Sequence, residues 1–285
     1  SSLSILLPGI TFHLIMSLQE VQSTATLLPL EFTPILKRAR WGGERLGTQL
    51  HKLIGVEQDY GESWELSDYP GAPTLIASGE FTGWTLSKLI EKNPKALFGE
   101  GKRYPLFPIL IKFIDATDRL SLQVHPDAGH LPRFDATKSG KSEAWVILDA
   151  LPESCIYAGL KQGIGPEQLR KHLKQGTVEE CLHSYPVQKG DCVYIPAGTL
   201  HAIGEGILLA EVQQTSDVTY RLFDWHRLDQ SGSPRPVHVE QAISCIDFDL
   251  GPVDLLEPEK QSRANHQIEA LLTCEHFSIR RYVAR

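Results

Sequence analysis

Five short stretches of this chain carry side chains that could bind a metal or move a proton. Gly190–His201 reads GDCVYIPAGTLH: a glycine, five residues, a proline, one residue, a glycine, two residues and a histidine. That spacing predicts a turn, a strand, a second tight turn at Pro196–Gly198, and a histidine delivered at the start of the next strand. In Leu120–His125, strand alternation puts Ser121, Gln123 and His125 on one face and Leu120, Leu122 and Val124 on the other. Such a polar face is either plainly solvated or the wall of a polar cavity. Lys141 and Glu143 form a Lys-x-Glu pair, ordinary surface decoration when taken alone. In Leu209–Gln213, Glu211 and Gln213 alternate with Ala210 and Val212. In Asp217–Arg221, Asp217, Thr219 and Arg221 alternate with Val218 and Tyr220.

If those polar rows face inward together, they line one pocket. His125 and His201 could then offer imidazole nitrogens, Glu143 a carboxylate and Gln123 an amide oxygen. Nitrogen and oxygen donors without thiolates suit a divalent ion such as zinc, at bond lengths of about 2.0–2.2 Å, with one position left for water or substrate. His130, His172, His183, His226 and His238 lie outside these rows and are expected to be structural or exposed.

The elements that must position these residues are mostly short strands. PILIKFIDA from Pro108, EAWVILDA, SCIYAGL, ILLAEVQQ and DVTYRLFDW all read as strands between turns. A helix is expected from Thr85, with Leu86, Leu89 and Ile90 on one face, ending near Asn93-Pro94. A Trp-Gly-Gly turn is expected at Trp41–Gly43. A second helix starts at Pro166, with Leu169 and Leu173 at i, i+4, and Thr177 and Glu180 have capping-box spacing for a third. A proline-rich linker, Ser231–Val237, leads to a mixed tail, and HFSIRRYVAR reads as a strand whose partners are missing. The pattern predicts a mainly β protein, a barrel or jelly roll carrying helices. Residues 1–27 read as an N-terminal extension, possibly non-native before Met16, and residues 1–15 are left out of the fold prediction. Residues 28–230 read as the catalytic barrel with a helical insertion near 165–185, and 231–285 as a linker and part of a C-terminal β-domain.

Composition bounds the function. The chain has 285 residues, 41% hydrophobic and 22% charged, with a formal net charge of −7. No basic stripe speaks for nucleic acid, and no apolar run is long enough to span a bilayer. An acidic protein can still hold an anionic small molecule with a few local Lys and Arg side chains. Five cysteines without a CxxC pair are expected to be reduced thiols of a cytoplasmic protein. A monomer is favoured.

The Gly190–His201 spacing resembles the second signature of the cupin superfamily. LSLQVHPD, GKSEAWVILDA, GDCVYIPAGTLHAIGEG and LAEVQQTSDVTYRLFDW, in this order, resemble type I phosphomannose isomerases, most of all the shorter bacterial form. LEFTPILKRARWGGERLG and GESWELS fit the N-terminal part of that family. The resemblance implies a cupin barrel holding one divalent ion, usually zinc, on Gln123, His125, Glu143 and His201. It implies interconversion of mannose 6-phosphate and fructose 6-phosphate through an enediol. Glu211 is then the candidate base. Asp217, Arg221 and Lys141 are active-site residues, and Ser121, Lys141 and Arg221 are candidates for holding the sugar phosphate. Two departures stand out. His226 replaces a glycine of some members, and the family's C-terminal β-domain normally runs beyond Arg285.

Two rivals remain at this level. A non-catalytic sugar-binding cupin would keep the barrel without needing the charged row Glu211, Asp217, Arg221 and Lys141. An iron(II) cupin oxygenase would use two histidines and one carboxylate, without Gln123 as a fourth donor.

Overall fold

A computed structural model describes residues 2–7, 10–15, 29–99, 104–130, 140–228, 232–262 and 266–284. The first two strands, β1 (Ser2–Leu7) and β2 (Ile10–Ile15), form a hairpin. Strands β3 (Phe32–Thr33), β4 (Ile35–Gly43), β5 (Tyr60–Leu66) and β6 (Leu75–Ile76) follow, with the short helix α1 (Arg45–Thr48) after β4. Two helices, α2 (Leu86–Lys92) and α3 (Pro94–Phe98), precede β7 (Ile109–Ala116) and β8 (Leu122–Val124). Next come β9 (Glu143–Ala150), β10 (Cys155–Leu160), α4 (Pro166–Gln175), β11 (Leu182–Pro186), β12 (Cys192–Ile195), β13 (His201–Ile203), β14 (Ile207–Gln214) and β15 (Tyr220–Phe223). Helix α5 (Val239–Cys245) and strands β16 (Glu259–Ser262), β17 (His266–Thr273) and β18 (Ser278–Ala284) complete the order.

Two antiparallel sheets face each other and form the barrel. One has the order β12-β9-β14-β7-β5-β4 and the other β11-β10-β13-β8-β15. Placing β14 between β7 and β9 requires the chain to cross back and forth, the habit of a jelly roll. The central strands β7, β9 and β14 are buried on both faces, which explains their nearly continuous apolar runs. Ile114, Trp145, Ile147, Leu209, Ile156, Ile195 and Ile203 pack between the sheets. Outside the six-stranded sheet, Ile111, Phe113, Val146, Ala210 and Val212 pack against Leu86, Leu89 and Phe98 of α2 and α3. Outside the five-stranded sheet, Leu122, Val124, Leu200, Ala202 and Leu222 pack against Leu169 of α4 and Ala242 and Ile243 of α5. The polar site residues sit on the inner faces, among the first of these three groups.

Several sequence expectations meet the structure directly. Thr85 caps α2 by accepting from Lys88 N at 3.2 Å, and α2 stops before Asn93-Pro94, as the proline demands. Helix α4 begins at Pro166. The element after it is a 3-10 turn over Val178–Cys181 rather than a capped α-helix, because Thr177 Oγ1 is engaged with His172 Nδ1 at 2.8 Å. Trp41-Gly-Gly ends strand β4 instead of turning. Backbone of Asp59–Gly61 occupies the space a Cβ of Gly42 would take, so the glycine serves close strand approach.

The tail also differs from expectation. Strand β18 has a neighbour on each side: β17 through seven residue pairs and β2 through six. Residues 2–15, left out of the sequence prediction, supply that second neighbour. The proline-rich segment is more than a connection: Pro236 O accepts from Arg221 Nη1 at 2.8 Å, and α5 beyond it is packed into the core. After β8, Ala128–His130 form a 3-10 turn, and residues 131–139 lie outside the described part.

Candidate active site

His201 opens β13, and its cross-strand partner on β8 is Gln123. Two features of the chain deliver it there. Thr199 N donates to Pro196 O at 3.1 Å, closing the tight turn, and Gly198 sits at φ +87°, a backbone conformation natural to glycine. Gly198 N also donates to His125 O at 2.8 Å, so one turn residue ties the strand ends carrying both histidines. Glu143 opens β9, and its cross-strand partners are Ile195 on β12 and Gln213 on β14.

These residues converge. Glu143 Oε2 lies 3.2 Å from His125 Nε2, and Glu143 Oε1 lies 3.3 Å from His201 Nε2. Gln123 Nε2 lies 3.4 Å from His201 Nε2. His125 Nδ1 donates to Val218 O at 3.0 Å and His201 Nδ1 donates to Thr199 O at 2.8 Å. Each ring thus spends its proton on a backbone carbonyl and turns a bare Nε2 lone pair toward the carboxylate. Lone pairs facing lone pairs repel unless a cation lies between them. Lys141 Nζ takes that part here, donating to His125 Nε2 and Glu143 Oε2, both at 2.8 Å. Glu143 Oε1 is buried without a hydrogen-bond donor among the described residues. The donor set of two neutral imidazoles and one carboxylate, all buried, therefore fits a divalent ion, with the half-buried Gln123 amide beside it.

Electrostatics agree with that division. Burial, and then the charge of Lys141, push His125 down to about 3. Burial likewise lowers His201 against the pull of Glu143. Burial works to raise Glu143, but Lys141 and the two histidines hold it well below the ordinary carboxylate range. The site is a carboxylate between two neutral imidazoles.

A second row lies beside the first. Trp64 on β5, Lys112 on β7, Glu211 on β14 and Trp145 on β9 are successive cross-strand neighbours. Trp145 Nε1 donates to Glu211 Oε2 at 2.9 Å, and Lys112 Nζ is 3.1 Å from Glu211 Oε1. Lys112 also lies 3.6 Å from Glu62 Oε2, which accepts from Trp64 Nε1 at 2.5 Å. Burial and the charge of Glu143 raise Glu211 above its ordinary range. Lys112 is buried yet held protonated, because Glu211 and Glu62 together outweigh its desolvation.

Both rows border a cleft of about 260 Å³. Ser121, Gln123, Lys141, Glu211, Asp217 and Arg221 all line it, together with Lys112, Glu62 and Arg235. Asp217 is exposed and lies ahead of β15, which begins only at Tyr220, although Asp217, Thr219 and Arg221 still share the cleft wall. Leu120 departs from the alternation. Strand β8 begins only at Leu122, so Leu120 packs between the sheets and lines the cleft. His172, His183, His226 and His238 engage other partners, and none joins the metal-ligand cluster among the described residues. The side chain of His130 lies outside the described part.

Sequence reasoning passed over Lys112, Glu62 and Arg235. Lys112 left a signal: a single charge inside ILIKFIDA, where a strand buried on both faces must pair any charge it holds. Arg235 left none, being one arginine in a stretch that read as a linker.

Comparison with known proteins places the chain. Residues 30–146 match the family model of the phosphomannose isomerase type I catalytic domain. The mannose-6-phosphate isomerase ManA of Bacillus subtilis is 36% identical over 261 residues, covering 89% of this chain and 79% of the relative. A crystal structure of the mannose 6-phosphate isomerase from Bacillus subtilis superposes with a TM-score of 0.83 at 31% identity, covering 91% of this chain and 81% of that one. A zinc-bound mannose 6-phosphate isomerase shares the fold at 15% identity and a TM-score of 0.59, over 90% of this chain and 94% of that one. With its cupin barrel, its buried His-Glu-His cluster and relatives of this identity and coverage, the chain belongs to the type I phosphomannose isomerase family.

Proposed function

We propose that this chain interconverts mannose 6-phosphate and fructose 6-phosphate by moving a proton between C1 and C2 through an enediol. Family membership supports the activity, and the single observation that carries the site is the convergence of His125, His201, Glu143 and Gln123 beside a cleft that Gln123, Lys141 and Glu211 line. His125, His201 and Glu143 would hold one Zn2+, joined by the Gln123 amide oxygen once that amide, whose Nε2 faces His201, turns over. When bound, that ion acts as a Lewis acid that binds sugar oxygens and stabilises the negative charge developing on them.

The remaining work falls to side chains. Glu211 takes the proton from one carbon and returns it to the other. It is buried, lines the cleft and has its pKa raised, so it holds a transferable proton more readily than an exposed carboxylate. Trp145 and Lys112 fix its two oxygens and so fix where the proton is taken. Lys141 steadies oxygen charge next to Glu143, and Ser121 and Arg221 hold the sugar phosphate. Asp217 at the exposed part of the cleft assists ring opening.

Glu211→Gln keeps the size and the contact with Trp145 but removes the base. Its kcat is expected to fall roughly 10²–10⁴-fold with metal content unchanged. Undiminished turnover removes Glu211 from the role. His201→Ala is the complementary variant, expected to lose the metal.

A further inference from the structure

We infer that Arg235 joins Arg221 to form the phosphate-recognition subsite of the cleft, making Arg235 a specificity-determining residue. The inference rests on the sugar-phosphate isomerase reading and goes beyond it by naming what selects a phosphorylated sugar. Arg221 is on β15, immediately across from Gln123 on β8. Its Nη1 donates to Pro236 O at 2.8 Å, which lays the guanidinium against the segment carrying Arg235. Both side chains line the cleft.

Their partners leave positive charge over. Arg235 donates Nε to Asp224 Oδ2 at 2.8 Å and Nη2 to Asp224 Oδ1 at 2.6 Å, a two-point contact that fixes its plane. Arg227 shares Asp224 at 2.6 Å and reaches Asp118 at 3.0 Å. Two guanidiniums, of Arg227 and Arg235, thus share Asp224 and Asp118, and the guanidinium of Arg221 stands beside them. Arg221 has no carboxylate partner among the described residues, and its Nε is buried without an acceptor. Arg235 Nη1 likewise makes no hydrogen bond among them. Asp217, the cleft's exposed carboxylate, pairs with neither arginine among the described residues. Burial, and then repulsion from Arg235, disfavour the charge on Arg221 as the site stands. An arriving dianion relieves both. A phosphate monoester offers several acceptor oxygens and two negative charges, the match for two planar forks. A neutral sugar offers neither.

Inorganic phosphate is the probe, used both as an inhibitor and in titration calorimetry, so that binding is read without turnover. Arg235→Gln in the metal-loaded enzyme is expected to weaken phosphate and to raise KM for mannose 6-phosphate, each roughly 10–100-fold, the scale of one charge-assisted contact. Its kcat should stay within about threefold, and Arg235→Lys should recover part of the loss. Asp224→Asn removes the charge but keeps both arginines and one acceptor for Arg235, and there phosphate affinity should fall well short of the loss in Arg235→Gln. Unchanged phosphate affinity in folded Arg235→Gln overturns the inference. So does an equal loss in Asp224→Asn, which would make Arg235 a scaffold residue. Arg235-dependent phosphate binding in a wild-type protein that does not isomerise mannose 6-phosphate would overturn the isomerase reading and leave the subsite standing.

Discussion

Glu143 Oε1 and Lys112 Nζ are the two most telling atoms at the scale of single residues. The first is a buried carboxylate oxygen without a donor, and burying such an atom is expensive unless a cation completes it. The second is a buried ammonium between two carboxylates, Glu211 and Glu62. Removing one partner of a buried pair is far worse than never having built it, because the other partner stays charged. Lys112→Met is therefore expected to destabilise the protein by about 3–5 kcal/mol and to displace Glu211. Urea unfolding measures the first effect and kcat the second. A variant with wild-type stability and turnover would show that Lys112 is a bystander. Among single residues, the proposed ligands Gln123, His125, Glu143 and His201 could be gathered from type and alternation. Lys112 showed only as a lone charge in an apolar run and Arg235 not at all, since their importance comes from which strand or segment lies beside theirs.

Elements supply that missing information. Alternation assigned faces correctly for Leu122–His125 and for Ala210–Gln213, since a pleated strand leaves no choice. It failed at Leu120, two residues before β8, where the backbone is no longer tied to the pleat. Sequence also could not say that Lys112 faces Glu211, because cross-strand register is set by the whole sheet. The Pro196–Gly198 turn was legible because its chemistry is local. Gly198 sits at φ +87°, and a Cβ there would meet Asp247 Cβ at 3.1 Å. Gly198→Ala must strain the turn or shift it, at about 1–3 kcal/mol. Since Gly198 N holds His125 O, the variant is expected to bind metal several-fold more weakly than wild type, with the barrel still folded. Metal titration against circular dichroism separates the two effects. Equal metal affinity would mean that the turn does not set the ligands.

At the scale of the whole molecule, three apolar groups and two sheets hold a charged cleft inside a protein of net charge −7. The cations that matter are local: Lys112, Lys141, Arg221 and Arg235 line one cavity. That is how an acidic chain can attract a sugar phosphate without a basic surface. Among the described residues no helix is long and apolar enough to cross a membrane, and all five cysteines are free thiols. The overall architecture was legible from many short strands and their turns. The pairing of β18 with β2 was not, because it joins distant parts of the chain through backbone hydrogen bonds that no side-chain pattern announces. The central claim is that His125, Glu143, His201 and Gln123 hold a zinc ion on which isomerisation depends. The most direct measurement is metal stoichiometry together with turnover of mannose 6-phosphate to fructose 6-phosphate, before and after chelation and after zinc is restored. The account predicts about one zinc per chain, loss of turnover on chelation and recovery with zinc. Full turnover in the metal-free protein would contradict it.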